Sequence, residues 1–438
     1  MKIQDLVMVA ALGCALCGCP IGGGAKYTVG GTVTGLNGGG LVLQINGSDD
    51  LGFNANGGFV FGTRLDNNAA YAVTVKTQPA NPAQTCTVRN GSGTIDKRDI
   101  THVIVSCSQT GRFAYVADRQ SNTVSAYAIA SSGALVPIGS PVAVNGTAPT
   151  ALTIDPDGQF LFVANNGSNT VSVFSIAAST GVLTAVGFPV ATGAGPGALV
   201  VDPTDRYLYV ANLAANTVSA YALDNGALTQ VAGSPFSVGQ EPVSLAIDPN
   251  GNFLYATNFN GGNVTVLLID PASGILSGVS GSPVGAGTGP LSIAIDPTDT
   301  WAFVANEAAN SLSAYSVNAT TGALTAIGGS PFSAVTNPES LVIDPAGRYL
   351  FAANAEAADQ VATYAITPSS GALILVSTTP AGALPVGMAI DPSGKFLYAV
   401  NFNSNDVSAY TVAPSGVLTP ITGSPFAAGG EPHAVVID

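Results

Sequence analysis

Pro196-Gly197-Ala198-Leu199-Val200-Val201-Asp202-Pro203-Thr204-Asp205-Arg206-Tyr207-Leu208-Tyr209-Val210-Ala211-Asn212 holds two short apolar runs split by a polar turn. A third run follows at Thr217-Val218-Ser219-Ala220-Tyr221-Ala222-Leu223 and a fourth at Leu228-Thr229-Gln230-Val231. Gly226 marks the turn between them, and Gly233-Ser234-Pro235-Phe236 closes the unit. Runs this short, rich in β-branched and aromatic residues and bounded by Asp, Pro and Gly, read as four antiparallel strands rather than helices.

The unit repeats. Ile/Val-Asp-Pro recurs at Asp155, Asp202, Asp248, Asp296, Asp344 and Asp391, with gaps of 47, 46, 48, 48 and 47 residues, and Ile437-Asp438 ends the chain on the same phrase. An aromatic alternation follows each copy, as in Phe160/Phe162, Tyr207/Tyr209 and Trp301/Phe303. Residues two apart share one face of a strand. Four strands at such a period predict an all-β chain with a seven-bladed β-propeller over 111–438. Strand two appears seven times from Phe113, but the seventh strand one is the C-terminal Pro432-His433-Ala434-Val435-Val436-Ile437. The last strand is therefore expected to complete the first blade and close the ring. Pro141, Pro189, Pro235, Pro283, Pro331, Pro380 and Pro425 follow strand four, where a residue without an N–H suits a sheet edge. Two residues after each strand-one Pro stands a small side chain (Ala151, Ala198, Ser244, Ser292, Ser340, Gly387, Ala434), as crowding at the axis requires.

Composition fits this reading. Of 438 residues only 9% are charged and 47% hydrophobic, with 53 Gly and 28 Pro, which disfavours long amphipathic helices and disorder alike. Twelve basic residues against 26 acidic ones give a net charge of −14, which argues against nucleic acid and against anionic lipid surfaces.

Ahead of the repeats, residues 1–18 read as a signal peptide. The apolar run Leu6 to Leu16 is too short to span a bilayer, and small residues follow it. Leu16-Cys17-Gly18-Cys19 resembles the bacterial lipobox, which implies lipidation of Cys19 and a tether over 19–26. The resemblance implies an exported lipoprotein of the outer membrane or cell surface, or alternatively a periplasmic protein. Residues 27–108 carry short strand-like runs broken by Asn37-Gly38, Asn46-Gly47, Asn56-Gly57 and Asn90-Gly91, expected to form a small immunoglobulin-like or transthyretin-like β-sandwich. Cys86 and Cys107, an even pair in an exported domain, are expected to form a disulfide worth about 3 kcal/mol in the chain-entropy model. His102 reads as a strand-face residue. No metal or cofactor motif is present.

Tyr207-Leu208-Tyr209-Val210-Ala211-Asn212, followed by Asn216-Thr217-Val218-Ser219, resembles the YVTN repeat, also seen in the lactonase-like, 6-phosphogluconolactonase-type seven-bladed propellers. The likeness covers 111–438. It implies a site at the channel mouth, on the face formed by the loops between strands two and three and between strands four and one. Asp118, Asn165, Asn212, Asn258, Asn306, Asn354 and Asn401 are expected there as turn residues, with Glu241, Glu307, Glu356 and Asp359. Family lactonases are expected to use His, Arg and a carboxylate at that mouth. Here the set is His433, Arg119, Glu431 and Glu339, with Glu431 expected to raise the imidazole pKa. Arg206, Arg348 and Lys395 fall on the opposite face in three blades, and from Phe113 on the chain holds 4 basic against 20 acidic residues, so a phosphorylated substrate fits poorly.

These observations favour a lipid-anchored binding module of the cell envelope over an enzyme. Its partner would be a protein, a glycan or a small neutral ligand, with the membrane reached only through the lipid. The alternative is a lactone hydrolase. The anchor is tested directly: Cys19→Ser should release the protein from the membrane fraction with its fold intact, and absence of labelled palmitate from the wild type would remove the lipoprotein reading.

Overall fold

A computed structural model describes residues 25–36, 39–79, 84–109, 113–355 and 359–438. The signal segment, Cys19, the tether up to residue 24, Asn37-Gly38, Gly111 and Glu356 lie outside the described residues. Regular structure among the described residues is entirely β.

In the third blade Pro196–Val201 pairs with Tyr207–Asn212, which pairs with Thr217–Asp224, which pairs with Ala227–Gln230. The recurring Asp makes the turn between the first two strands. The N–H groups of Arg206 and Tyr207 donate to Asp202 Oδ1 at 2.7 and 2.6 Å. Asp155, Asp248, Asp296, Asp344 and Asp391 accept the same two bonds in their blades. These carboxylates are buried, so backbone donors must satisfy them. The outer strand departs from the expected single run. In most blades it is two short pieces on strand three, such as Leu183–Ala185 and Val190–Ala191 on Thr170–Ile176, with the Pro at the break. A residue with no N–H cannot continue the ladder there.

Seven such sheets form the ring. Pro432–Ile437 pairs antiparallel with Phe113–Asp118, and each inner strand lies beside the next around the axis, including the pair at the splice. The flanking loops are tied as well: Arg119 N–H donates to Glu431 O and Gln120 N–H to Gly430 O, both at 3.0 Å.

Two further devices bind blade to blade. Asn122, Asn169, Asn216, Asn310 and Asn405 sit at positive φ just before strand three. Each side-chain oxygen accepts the N–H of the residue preceding the next blade's Pro, at 2.7–2.8 Å. Asp359 does the same with Leu384, while Gly262 holds the equivalent turn without a side chain. Asn is favoured because it tolerates the left-handed region and offers an acceptor. Separately, Tyr115, Tyr209, Tyr255 and Tyr398 donate to the turn carbonyls of Gly181, Gly274, Gly322 and Gly133, at 2.8–3.2 Å.

The N-terminal region forms two four-stranded sheets. One orders Gly57–Val60, Val29–Thr34, Ile100–Gln109 and Gln84–Arg89; the other orders Ser48–Phe53, Leu41–Ile45, Ala70–Thr77 and Ser92–Thr94. They share a core that includes Val33, Leu43, Phe59, Val73 and Val105. Strands such as Ser48–Phe53 and Ser92–Thr94 were not legible in sequence because Asp, Ser and Gly dominate them. Cys86 and Cys107 face each other across the Gln84–Arg89 and Ile100–Gln109 pair and form the disulfide.

Removing Pro432–Asp438 deletes a six-residue strand, five of whose residues pair with strand two, and the buried Val435 with it. Thermal unfolding of the whole propeller should fall by roughly 10 °C or more. An unchanged midpoint would show that this strand does not close the ring.

Candidate functional site

One irregularity recurs in every blade and builds the site. The ladder between strands one and two slips by one residue between the Pro and the small residue that follows, as between Pro149 and Ala151 or Pro432 and Ala434. The intervening residue is a β-bulge, outside the pairing and free to aim its side chain elsewhere. In ring order from the splice these residues are His433, Thr150, Gly197, Val243, Leu291, Glu339 and Val386, and all seven line one cavity of about 530 Å³ at the axial mouth. The sequence reading singled out the small residue after each Pro but not this position as a set. Its signal was present: it is the column where an otherwise regular repeat loses its pattern.

His433 is the only imidazole of the propeller. Its Nδ1 lies 2.8 Å from the Thr150 carbonyl. A carbonyl only accepts, so Nδ1 carries the proton and Nε2 keeps its lone pair in the neutral ring. The Phe402 ring meets it edge-on with centroids 6.0 Å apart. Burial holds the imidazole below its ordinary 6.5, and the Arg119 charge adds to this against the Thr150 bond and Glu431. The expected upward shift from Glu431 is thus overruled, because desolvation outweighs a carboxylate that Arg119 already engages.

Arg119 lines the same cavity and its Nη1 sits 3.1 Å from Glu431 Oε2. Both side chains are partly exposed, at 41% and 31%, so the pair forms a rim contact of modest strength. The guanidinium has further N–H donors beyond the one facing Glu431. Glu339 is on the wall two blades from His433. Arg119, Glu339 and His433 therefore converge, while Glu431 is not among the cavity-lining residues and reaches the site only through Arg119.

The expected ring of Asn does not lie on the mouth surface. Asp118 and the six Asn from Asn165 to Asn401 are fully buried at strand ends. Most bond side chains of strand three, as Asn212 Nδ2 does to Thr217 Oγ1 and Ser219 Oγ at 3.1 and 2.9 Å. They are packing residues, and the left-handed turn role belongs to the Asn four positions later.

The opposite end of the channel is acidic and lies against the small domain, whose Gly35 and Cys107 line a cavity there with Asp155, Asp157 and Asp438. Burial, reinforced by neighbouring carboxylates, pushes Asp205 up to about 7 and Asp299 to about 6. Asp155 also rises to about 6, through burial against its backbone donors. Arg206 stacks over Tyr207, and Arg348 pairs with Asp344 at 3.1 Å while stacking over Tyr349. Each cation is held within or beside its own blade, and no phosphate site is assembled from them.

Comparison with known proteins agrees with this architecture. The family model "Lactonase, 7-bladed beta-propeller" matches residues 72–195, 188–288 and 279–437, and the chain belongs to that family. Among solved structures, a Bacteroides uniformis ATCC 8492 protein provisionally described as a 6-phosphogluconolactonase is 24% identical, with a TM-score of 0.68, covering 75% of this chain and 100% of that one. The periplasmic gluconolactonase of Pseudomonas aeruginosa is 20% identical, with a TM-score of 0.65, covering 74% and 98%. At these identities the likeness carries the fold. The search of curated proteins finds no match.

The raised carboxylates set a pH dependence. Their folded pKa values exceed the unfolded 3.8, so the folded state binds the extra protons. The stability these three groups contribute is full below the unfolded value of 3.8 and is lost as pH rises through 6–7. Unfolding midpoints should be higher at pH 6 than at pH 8, by about 5 °C. Asp205→Asn should flatten that slope in a thermal melt; an unaltered slope would remove Asp205 as its source.

Proposed function

We propose that the axial cavity hydrolyses an uncharged lactone. The carrying observation is His433: a neutral imidazole with its Nδ1 proton committed to Thr150, in a cavity that Arg119 also lines. Family membership supports the same reading. The binding-module alternative rests on how thin the catalytic set looks in sequence, and the convergence of Arg119, Glu339 and His433 on one cavity favours hydrolysis over it.

In this scheme His433 Nε2 takes a proton from water as the water oxygen bonds to the lactone carbonyl carbon. The carbonyl oxygen gains the negative charge, which N–H groups of Arg119 stabilise. Collapse breaks the ring C–O bond, and the imidazolium returns its proton to the leaving alkoxide. The product is the open hydroxy acid, which ionises. Glu431 acts as a positioning residue by holding Arg119 at the rim. An excess of carboxylates disfavours anionic substrates. The lipobox-like Leu16-Cys17-Gly18-Cys19 supports placing this activity in the cell envelope.

Acid release from neutral lactones and from 6-phosphogluconolactone, followed in a pH-stat, tests the reading. Neutral lactones should turn over, and His433→Ala should lower kcat/KM about 10²–10⁴-fold. Because the imidazole pKa lies below 6.5, the rate should be flat above pH 7 and fall on acidification. No turnover of any lactone would end the hydrolase reading, and full activity in His433→Ala would end this site assignment.

A further inference from the structure

The bulge ring holds one adjacent pair of apolar residues, Val243 and Leu291, with Glu339 beyond Leu291 and a third apolar residue, Val386, between Glu339 and His433. His433 lies between Thr150 and Val386, with Arg119 and Asn166 on the cavity wall as well and Phe402 edge-on to the imidazole. Three steps round the ring in either direction from His433 come Val243 and Leu291, which therefore face it across the channel. Leu213, from the loop after strand two of the neighbouring blade, continues that wall, and Gly197 between Thr150 and Val243 leaves open space. These apolar side chains are half-buried and line the cavity. Nothing in the fold requires them to be apolar, since Glu339 and His433 occupy the same bulge in other blades.

We propose that the cavity takes an amphipathic ligand: an uncharged lactone bearing an alkyl chain of several carbons, with its ring at His433 and its chain on Leu213, Val243 and Leu291. The identity of the polar end rests on the hydrolase reading; the apolar wall does not. A volume of about 530 Å³ is ample for such a molecule. An anionic tail is opposed by Glu339 and by the pairing of Arg119 with Glu431. A polyhydroxylated ring would set hydroxyls against the apolar wall, where they lose water without gaining partners. Ser244 and Ser292 lie one residue further along their inner strands, and Ser292 Oγ already accepts the Leu341 N–H at 3.1 Å.

Hydrolysis-resistant 5-alkyl-2-pyrrolidinones, titrated into the purified chain by calorimetry, test binding separately from catalysis. Kd should fall roughly threefold per added methylene until the wall is covered. D-glucono-1,5-lactam should bind more weakly than the longer alkyl lactams. Leu291→Ser and Val243→Ser, checked for unchanged melting, should flatten the chain-length slope while leaving the unsubstituted lactam's Kd in place. A flat slope in the wild type, or tighter binding of the gluconolactam, overturns the proposal. The slope persisting without any lactone turnover would sustain the amphipathic ligand and remove the hydrolase; turnover of short lactones with a flat slope would do the reverse.

Discussion

The pairing of Pro432–Ile437 with Phe113–Asp118 is the contact on which the rest depends. It joins the two ends of the propeller in one sheet, and Arg119 meets Glu431 across 312 residues of sequence. His433 belongs to that closing strand, so its approach to Arg119 and Thr150 exists only when the ring is shut. Integrity of the fold and assembly of the site are one event. So distant a pairing closes the longest loop in the propeller and carries a correspondingly large loop-closure entropy cost.

The blades are held in register by bonds that repeat with the sequence. The left-handed Asn before each strand three reaches forward to the next inner strand, and the aromatic of strand two reaches forward to the next turn. Both act between neighbours, so the ring resembles a one-dimensional array bent until its ends meet. These columns accordingly stay within Asn, Asp or Gly and within Tyr or Phe along the chain, while the bulge column runs from Gly to His and Glu. The restricted positions bear on adjacent blades, whereas bulge positions bear on the contents of the channel.

Much of this was legible in the sequence because local chemistry decided it. Ile-Asp-Pro had to be a turn, since its Asp has donors four and five residues on. Seven strand-two copies with a displaced strand one had to close by a splice, and Cys86 and Cys107 had to meet. What escaped depended on burial, which a linear pattern does not express. The Asn ending strand two looked like a surface turn residue; it is buried because strand three supplies hydroxyls at its level. The imidazole of His433 was expected to rise beside Glu431, yet enclosure by the surrounding blades lowers it. The residue after each inner Pro drew notice only where it was His or Glu, because a bulge shows itself only when two strands are laid side by side.

The bulge also separates two demands that most sites must satisfy together. A side chain outside the ladder can be exchanged without costing a backbone bond, and its neighbours on either flank belong to other sheets. Seven such positions around one axis form a set that drift or selection can rewrite one member at a time while the barrel of inner strands stays closed. Diversity of ligands within a single propeller architecture then needs no new loops and no inserted elements, only substitutions in one column of the repeat.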